Sequence, residues 1–214
     1  DFRTPQNICD AAIKAINDGF TKYTPASGII ELKETVCKKF KEFNNLEYST
    51  DQIVISNGGK HSLTNIFTVL INPGDEVIIP APYWLSYPEI VKLAGGVPVI
   101  VTTTKEGEYK LTAQKLEDAI TEKTKAVILN TPNNPTGMLY TRDELMAIAK
   151  VVVEKDIYVV ADEMYENLIY GDLEHISIAS LGKEIYDRTI TCSGLAKSYA
   201  MTGWRIGYTG SSKA

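Results

Sequence analysis

The chain has 214 residues, 44% hydrophobic and 23% charged, with a formal net charge of -5 and a mean hydropathy of -0.10. That length supports one core of ordinary size, no apolar run approaches the roughly 18 residues that cross a bilayer, and the Lys and Arg excess that polyanion binding demands is missing. Neither a membrane span nor nucleic-acid binding is expected. Cys9, Cys37 and Cys192 are odd in number and lack C-x-x-C spacing. They argue against a disulfide framework or a zinc site and for a reducing, cytoplasmic compartment. The chain opens at Asp1 with neither a basic nor an apolar leader, and is expected to be the interior of a longer polypeptide.

In chain order, the first helix read from periodicity places Leu32, Val36, Phe40 and Phe43 on one side, with the Lys38-Lys39-Phe40-Lys41 run on its solvated face. A strand follows at Ile53 to Ser56, then a helix with Leu63, Ile66, Phe67 and Leu70 at helical spacing. Asn72-Pro73-Gly74 turns the chain into a strand at Glu76 to Pro80, and a helix beginning near Tyr87 is ended by Gly95-Gly96. Strands at Val97 to Val101 and Ala126 to Asn130 come next. Thr141 with Glu144 forms a capping-box signature for a helix carrying Leu145, Ile148, Ala149 and Val152. The remaining strands are Tyr158 to Ala161, Thr189 to Cys192 and Arg205 to Thr209. Apolar strands alternating with amphipathic helices predict an α/β fold, three layers α/β/α around a mostly parallel seven-stranded sheet, with no linker dividing residues 1–214.

Ligands of open α/β sheets bind beyond the carboxyl ends of the strands, so the residues that follow each strand carry the functional reading. Ser56-Asn57-Gly58-Gly59-Lys60-His61 reads either as a tight turn or as a phosphate cradle, two glycines letting an anion approach backbone N–H groups at a helix start. It is not a Walker A motif. Ala81-Pro82-Tyr83-Trp84 puts a flat aromatic at the sheet's mouth, either packed in core or free to stack on a planar ring. Asn130-Thr131-Pro132-Asn133-Asn134-Pro135-Thr136-Gly137 is a turn whose Asn134 amide can donate to an oxygen. Asp162, at the end of an apolar run and ahead of Glu163-Met164-Tyr165, is either a helix N-cap or a buried carboxylate that pairs with a protonated ring nitrogen. Lys197 lies among small residues in Ser193-Gly194-Leu195-Ala196-Lys197-Ser198-Tyr199-Ala200-Met201-Thr202-Gly203-Trp204-Arg205-Ile206-Gly207-Tyr208. That setting is either a surface lysine ahead of a Gly-rich strand or an amine with the room to hold an aldehyde covalently.

Taken in order, Ser-Asn-Gly-Gly-Lys, Pro-Tyr-Trp, Asn-Pro-Thr-Gly, Asp-Glu-x-Tyr and Lys-x-Tyr-x-Met-x-Gly-Trp-Arg-Ile-Gly resemble the motifs of class I/II aminotransferases of fold-type I across nearly the whole chain. The likeness is greatest to the bacterial aspartate aminotransferase group called class Ib. The resemblance implies that pyridoxal 5′-phosphate (PLP) is the cofactor, that Lys197 holds it as a Schiff base and shuttles the substrate proton, and that Asp162 pairs with the pyridinium nitrogen. It implies that Tyr165 and Asn134 hydrogen-bond the phenolate oxygen, that Trp84 stacks on the ring, and that Gly58, Gly59, Lys60 and Arg205 hold the phosphate. Tyr23, in a Pro/Gly-bounded loop, matches a family tyrosine that reaches the phosphate of a neighbouring subunit, which implies a homodimer acting on an L-amino acid, aspartate or a similar one, and a 2-oxo acid.

The chain departs from the family pattern in two places. Ala196 and Gly194 stand where many members have phosphate-binding serines, so some phosphate contacts are expected to be missing or supplied by Ser193 or backbone, and Thr68 stands where some aspartate-specific members have a lysine. The resemblance also implies an N-terminal segment and a C-terminal small domain, bearing the arginine for the substrate α-carboxylate, beyond an incomplete large domain. The 214 residues alone are therefore expected to be inactive. The same cofactor constellation serves β-lyases and aminocyclopropane-carboxylate synthase-like eliminations, and a non-catalytic PLP-binding fragment is the third alternative.

Overall fold

The computed structural model describes residues 2–213. Seven strands, β1 Ile53–Ser56, β2 Glu76–Ala81, β3 Val97–Thr102, β4 Thr124–Asn130, β5 Tyr158–Asp162, β6 Thr189–Gly194 and β7 Gly207–Ser211, form one sheet in the order β1-β7-β6-β5-β4-β2-β3. The pairs among β2 to β6 are parallel, and β7 is antiparallel to both of its neighbours. The helices are α1 Gln6–Asn17, α2 Ile30–Asn44, α3 Gly59–Leu70, α4 Ser86–Leu93, α5 Ala113–Ala119, α6 Arg142–Glu154 and α7 Lys183–Asp187.

Strand side chains alternate between the two faces, and the buried residues divide accordingly. Ile78, Val127, Leu129, Val159 and Ala161 pack with Leu145, Ile148 and Val152 of α6. Their strand neighbours Val77, Ile79, Ala126, Ile128 and Val160 pack on the opposite face with Leu63, Ile66 and Phe67 of α3 and Tyr87, Ile90 and Val91 of α4. Each large side chain so buried contributes about 1.5–3 kcal/mol. Helices on both faces of a mostly parallel sheet give the predicted α/β/α layering. The capping box of α6 is formed as well: Glu144 N donates to Thr141 Oγ1 at 3.3 Å, and Thr141 N donates to Glu144 Oε2 at 2.7 Å.

Three sequence expectations need correction. β7 starts at Gly207 instead of Arg205, because Arg205 closes a short 3₁₀ turn over Thr202–Trp204 in the left-handed region at φ 58°. Phe43 is exposed, since the inward stripe of α2 runs through Lys33, Val36, Phe40 and Asn44, and Phe43 falls one residue off it. Lys39 does not lie on a solvated face; its ammonium turns inward to Glu166 at 2.5 Å. The periodicity reading also passed over α1, α5 and α7. Helices α5 and α7 bury only Leu116 and Ile185, which leaves too little apolar stripe to announce them, whereas α1 carries Ile8, Ala12, Ile13 and Ile16 at helical spacing yet buries no residue.

Candidate active site

The carboxyl ends of β4, β5 and β6 lie side by side, with Asn130 in register with Asp162 and Asp162 in register with Cys192. Asp162 therefore sits centrally, flanked on both sides and 6% exposed. Tyr87, reaching across from α4, donates its hydroxyl hydrogen to Asp162 Oδ2 at 2.6 Å, and Met164 N donates to Oδ1 at 3.2 Å. Asn130 Nδ2 fixes the backbone through the Asp162 carbonyl at 2.9 Å. Burial raises the Asp162 carboxyl above its ordinary range, against the opposing pull of the Tyr87 hydrogen bond, and burial beside this carboxylate pushes the Tyr87 phenol up as well. No helix begins here, so the N-cap reading of Asp162 fails.

Around this carboxylate a cavity of about 290 Å³ is lined by Gly59, Lys60, Trp84, Asn134, Tyr165 and Lys197, among others. Lys197 follows β6 on a tight turn held by Met201 N donating to Ala196 O at 3.1 Å, and its ammonium lies 5.6 Å from the centroid of the Tyr165 ring. Asn134 Nδ2 donates to the Tyr165 hydroxyl at 3.4 Å, while its own backbone N–H is held by Asn130 Oδ1 at 2.7 Å. Trp84 packs edge-on against Tyr87, with the Lys60 ammonium 5.1 Å from its ring centroid.

At the other end of the cavity the Gly58-Gly59 pair opens α3. Gly58 has φ 84°, a conformation favoured by glycine, and a side chain there would overlap the guanidinium of Arg205. Arg205 is steadied by its Nη1 donating to Thr202 O at 2.7 Å. A Cβ on Gly207 would come within 2.6 Å of Gly59 N and 2.7 Å of Gly58 O, so a glycine at the start of β7 lets that strand press the Gly58-Gly59 turn into place. The N–H groups and positive dipole end of the twelve-residue α3, beside a guanidinium, form a setting that favours an anion.

The sequence matches the family described as aminotransferase class I and II over residues 1–214. The chain belongs to that family. It is 56% identical over 208 residues to an aspartate aminotransferase of Bacillus sp. (strain YM-2), covering 97% of this chain and 53% of that protein. It is 53% identical over 209 residues to a probable aspartate/prephenate aminotransferase of Rhizobium leguminosarum bv. phaseoli, covering 97% of this chain and 52% of that protein. Among solved structures, the aspartate aminotransferase of Rhizobium meliloti superposes with a TM-score of 0.97 at 42% identity, covering 99% of this chain and 53% of the other. The chain thus spans about half the length of the aminotransferases it matches.

Within this aminotransferase fold, Gly59, Lys60, Trp84, Asn134, Asp162, Tyr165, Lys197 and Arg205 line one cavity, and Gly58 backs it against Arg205. Tyr23 does not join them: it is fully exposed on its loop, which is pinned beyond it where Ile55 N donates to Ser27 O. The expectation that Ser193 supplies a phosphate contact is corrected, since its hydroxyl is buried and donates to Glu166 Oε1 at 2.9 Å, outside the cavity. Gly194 has no room for a serine, because a Cβ there would lie 2.8 Å from Ile206 O. Thr68 is exposed on α3, donating to Thr64 O at 2.7 Å, and does not line the cavity. Sequence reading passed over Tyr87, Met164, Leu63 and Thr202, which also line it. Tyr87 stands at core spacing on its helix, so only its hydroxyl, invisible to periodicity, signals the difference.

Proposed function

We propose that the protein is a PLP-dependent aminotransferase that moves an amino group between an L-amino acid, aspartate or one like it, and a 2-oxo acid. Residues 1–214 are its cofactor-binding large domain, and the whole enzyme is a cytoplasmic homodimer, a compartment favoured by its three free thiols. The observation that carries the proposal is the single cavity joining Lys197, the buried carboxylate of Asp162 and the glycine-opened helix α3.

The residues fit PLP on three counts. A buried carboxylate needs a facing cation, which a protonated pyridine nitrogen provides. The Gly58-Gly59 turn lets the Arg205 guanidinium lie against the start of α3, where a side chain on Gly58 would overlap it, and so sets a cation beside the N–H groups that a phosphate would take. The Asn134 and Tyr165 donors stand together beside the Lys197 amine, where a phenolate oxygen would accept from both.

When bound, PLP supplies an aldehyde for the amino group and an electron-withdrawing ring for the charge released at the substrate Cα. Lys197 would hold that aldehyde, and its amine would be the base that takes the proton from the substrate Cα and the acid that returns it. Asp162 keeps a proton on the ring nitrogen, with Tyr87 holding its carboxylate in place. Tyr165 and Asn134 would donate to the phenolate oxygen, Trp84 would stack on the ring, and Gly58, Gly59, Lys60 and Arg205 would hold the phosphate. Tyr23, exposed on its own subunit, serves the phosphate of the partner. Adding L-aspartate to the PLP-loaded full-length protein is expected to bleach its long-wavelength absorbance, and a 2-oxo acid to restore it. A spectrum indifferent to amino donors would refute the proposal.

A further inference from the structure

Directly after Asp162 the chain turns its charges the other way. Glu163 and Glu166 are absent from the cavity lining and face α2 instead. Asn44 Nδ2 donates to Glu163 Oε2 at 3.2 Å and to Glu166 Oε2 at 2.8 Å, Lys39 Nζ donates to Glu166 Oε1 at 2.5 Å, and Ser193 of β6 adds a donor to the same oxygen. His175 brings its Nε2 to 3.1 Å from Glu163 Oε2 with a side chain 7% exposed. The approach lies off the ring N–H axis, so among the described residues neither ring nitrogen has an aligned hydrogen bond, and Glu163 Oε1 has none either.

Six polar side chains drawn from residues 39 to 193 thus meet in the interior, and their charge must balance there. Two carboxylates and the Lys39 ammonium leave one negative charge. Ligand atoms of Glu163, Glu166 and His175 lie within 4.8 Å of one another, a spacing that also suits a metal ion. A divalent ion, however, would leave a buried positive charge next to Lys39, whose ammonium is already committed to Glu166 and held over the rings of Phe40 and Tyr208 at 4.7 and 5.7 Å from their centroids. One proton on His175 brings the sum to zero and explains a ring held by charge instead of by aligned hydrogen bonds.

We infer that His175 is a buried imidazolium which completes a charge-neutral quartet with Lys39, Glu163 and Glu166 and, through Glu163, positions the turn that presents Asp162 and Tyr165 to the cavity. Its positioning role rests on the aminotransferase reading above; the quartet does not. Burial works against the charged ring, but attraction to Glu163 and Glu166 outweighs it and the repulsion from Lys39, and the His175 pKa is raised from its ordinary value. A raised value means that the stabilisation is complete at pH below the ordinary histidine range and is lost as pH rises through the raised value.

The test uses PLP-loaded full-length protein labelled with ¹³C at the histidine Cε1, the His175 signal being the one lost in His175→Gln. The expected result is an imidazolium signal that titrates above the ordinary value of about 6.5, with a midpoint that Glu163→Gln lowers by about one unit or more. His175→Gln is expected to reduce kcat about tenfold with KM little changed and to remove the matching limb from the kcat pH profile, while Glu163→Gln on top of it restores most of the loss by rebalancing the charge. A neutral ring at mildly acidic pH, or selective loss of the His175 signal on adding Mn²⁺ or a shift on adding Zn²⁺, overturns the quartet. A double variant that falls as the sum of the single losses overturns the coupling. Protein that shows the imidazolium yet takes up no PLP sinks the aminotransferase reading and the positioning role with it, leaving the quartet alone standing.

Discussion

A carboxylate as deeply placed as Asp162 is costly unless a cation faces it, and breaking such a pair removes about 3–5 kcal/mol. Asp162→Asn is therefore expected to cut kcat by about two to four orders of magnitude while changing PLP affinity less. An enzyme with near-normal kcat would show that the carboxylate only orders its own turn. Tyr87→Phe removes one hydrogen bond to a charged acceptor, about 1.5–3 kcal/mol. Its kcat should fall about ten- to a hundredfold, and steady-state kinetics on the two variants rank the two groups. Asp162 was legible from sequence as a candidate because an acid ends an apolar strand, and the family resemblance singled it out from Glu163 beside it. Tyr87 was not, because a buried tyrosine on a helix obeys the apolar pattern.

At the scale of elements, the strand ends carried the reading. β1, β2, β4, β5 and β6 each deliver a site residue just past or at their ends, and their β-branched runs are plain in the sequence. What escaped is where conformation is set by long-range contact. The start of β7 is displaced because Arg205 takes a left-handed turn to reach Gly58, and Phe43 is left outside because α2 turns Lys39 and Asn44 toward Glu166. Neither fact follows from local periodicity. Gly207→Ala is expected to disturb the Gly58-Gly59 turn and weaken PLP binding, with little effect on secondary structure by circular dichroism. Thr141→Ala, which removes the α6 cap far from the cavity, should cost about 1 kcal/mol of stability and leave PLP affinity as it was. Equal PLP affinity in both variants would contradict the role given to the β7 glycine.

For the molecule as a whole, the quartet around Glu166 ties α2 to the sheet and sets part of the response to acid. Burial alone would raise the Glu166 carboxyl, but Lys39, Asn44 and Ser193 outweigh it and hold it below the usual range. The sign follows: its stabilisation is present above the ordinary carboxylate pKa and lost as pH falls through the lowered value. Urea unfolding should find Lys39→Met less stable than the wild type by about 3–5 kcal/mol at neutral pH, with the gap narrowing in acid; a gap independent of pH would exclude the ion pair as its source. None of this was legible in sequence, since the partners lie at residues 39, 44, 163, 166, 175 and 193 and only the folded sheet brings them together. Assembly belongs to the same scale. Tyr23 is exposed in the single subunit, so mixing Tyr23→Phe and Lys197→Ala homodimers of the full-length enzyme should give heterodimers in which the intact Lys197 site binds PLP as tightly as wild type. Affinity as weak as in the Tyr23→Phe homodimer would place the tyrosine in its own subunit's site.

The central claim is that Lys197, and no other lysine, holds the cofactor. Borohydride reduction of the PLP-loaded full-length protein followed by peptide mapping tests it most directly. The account predicts a single pyridoxyl adduct on the peptide containing Lys197, absent in Lys197→Ala; an adduct on Lys60, the other lysine lining the cavity, or on a surface lysine such as Lys213 would contradict it.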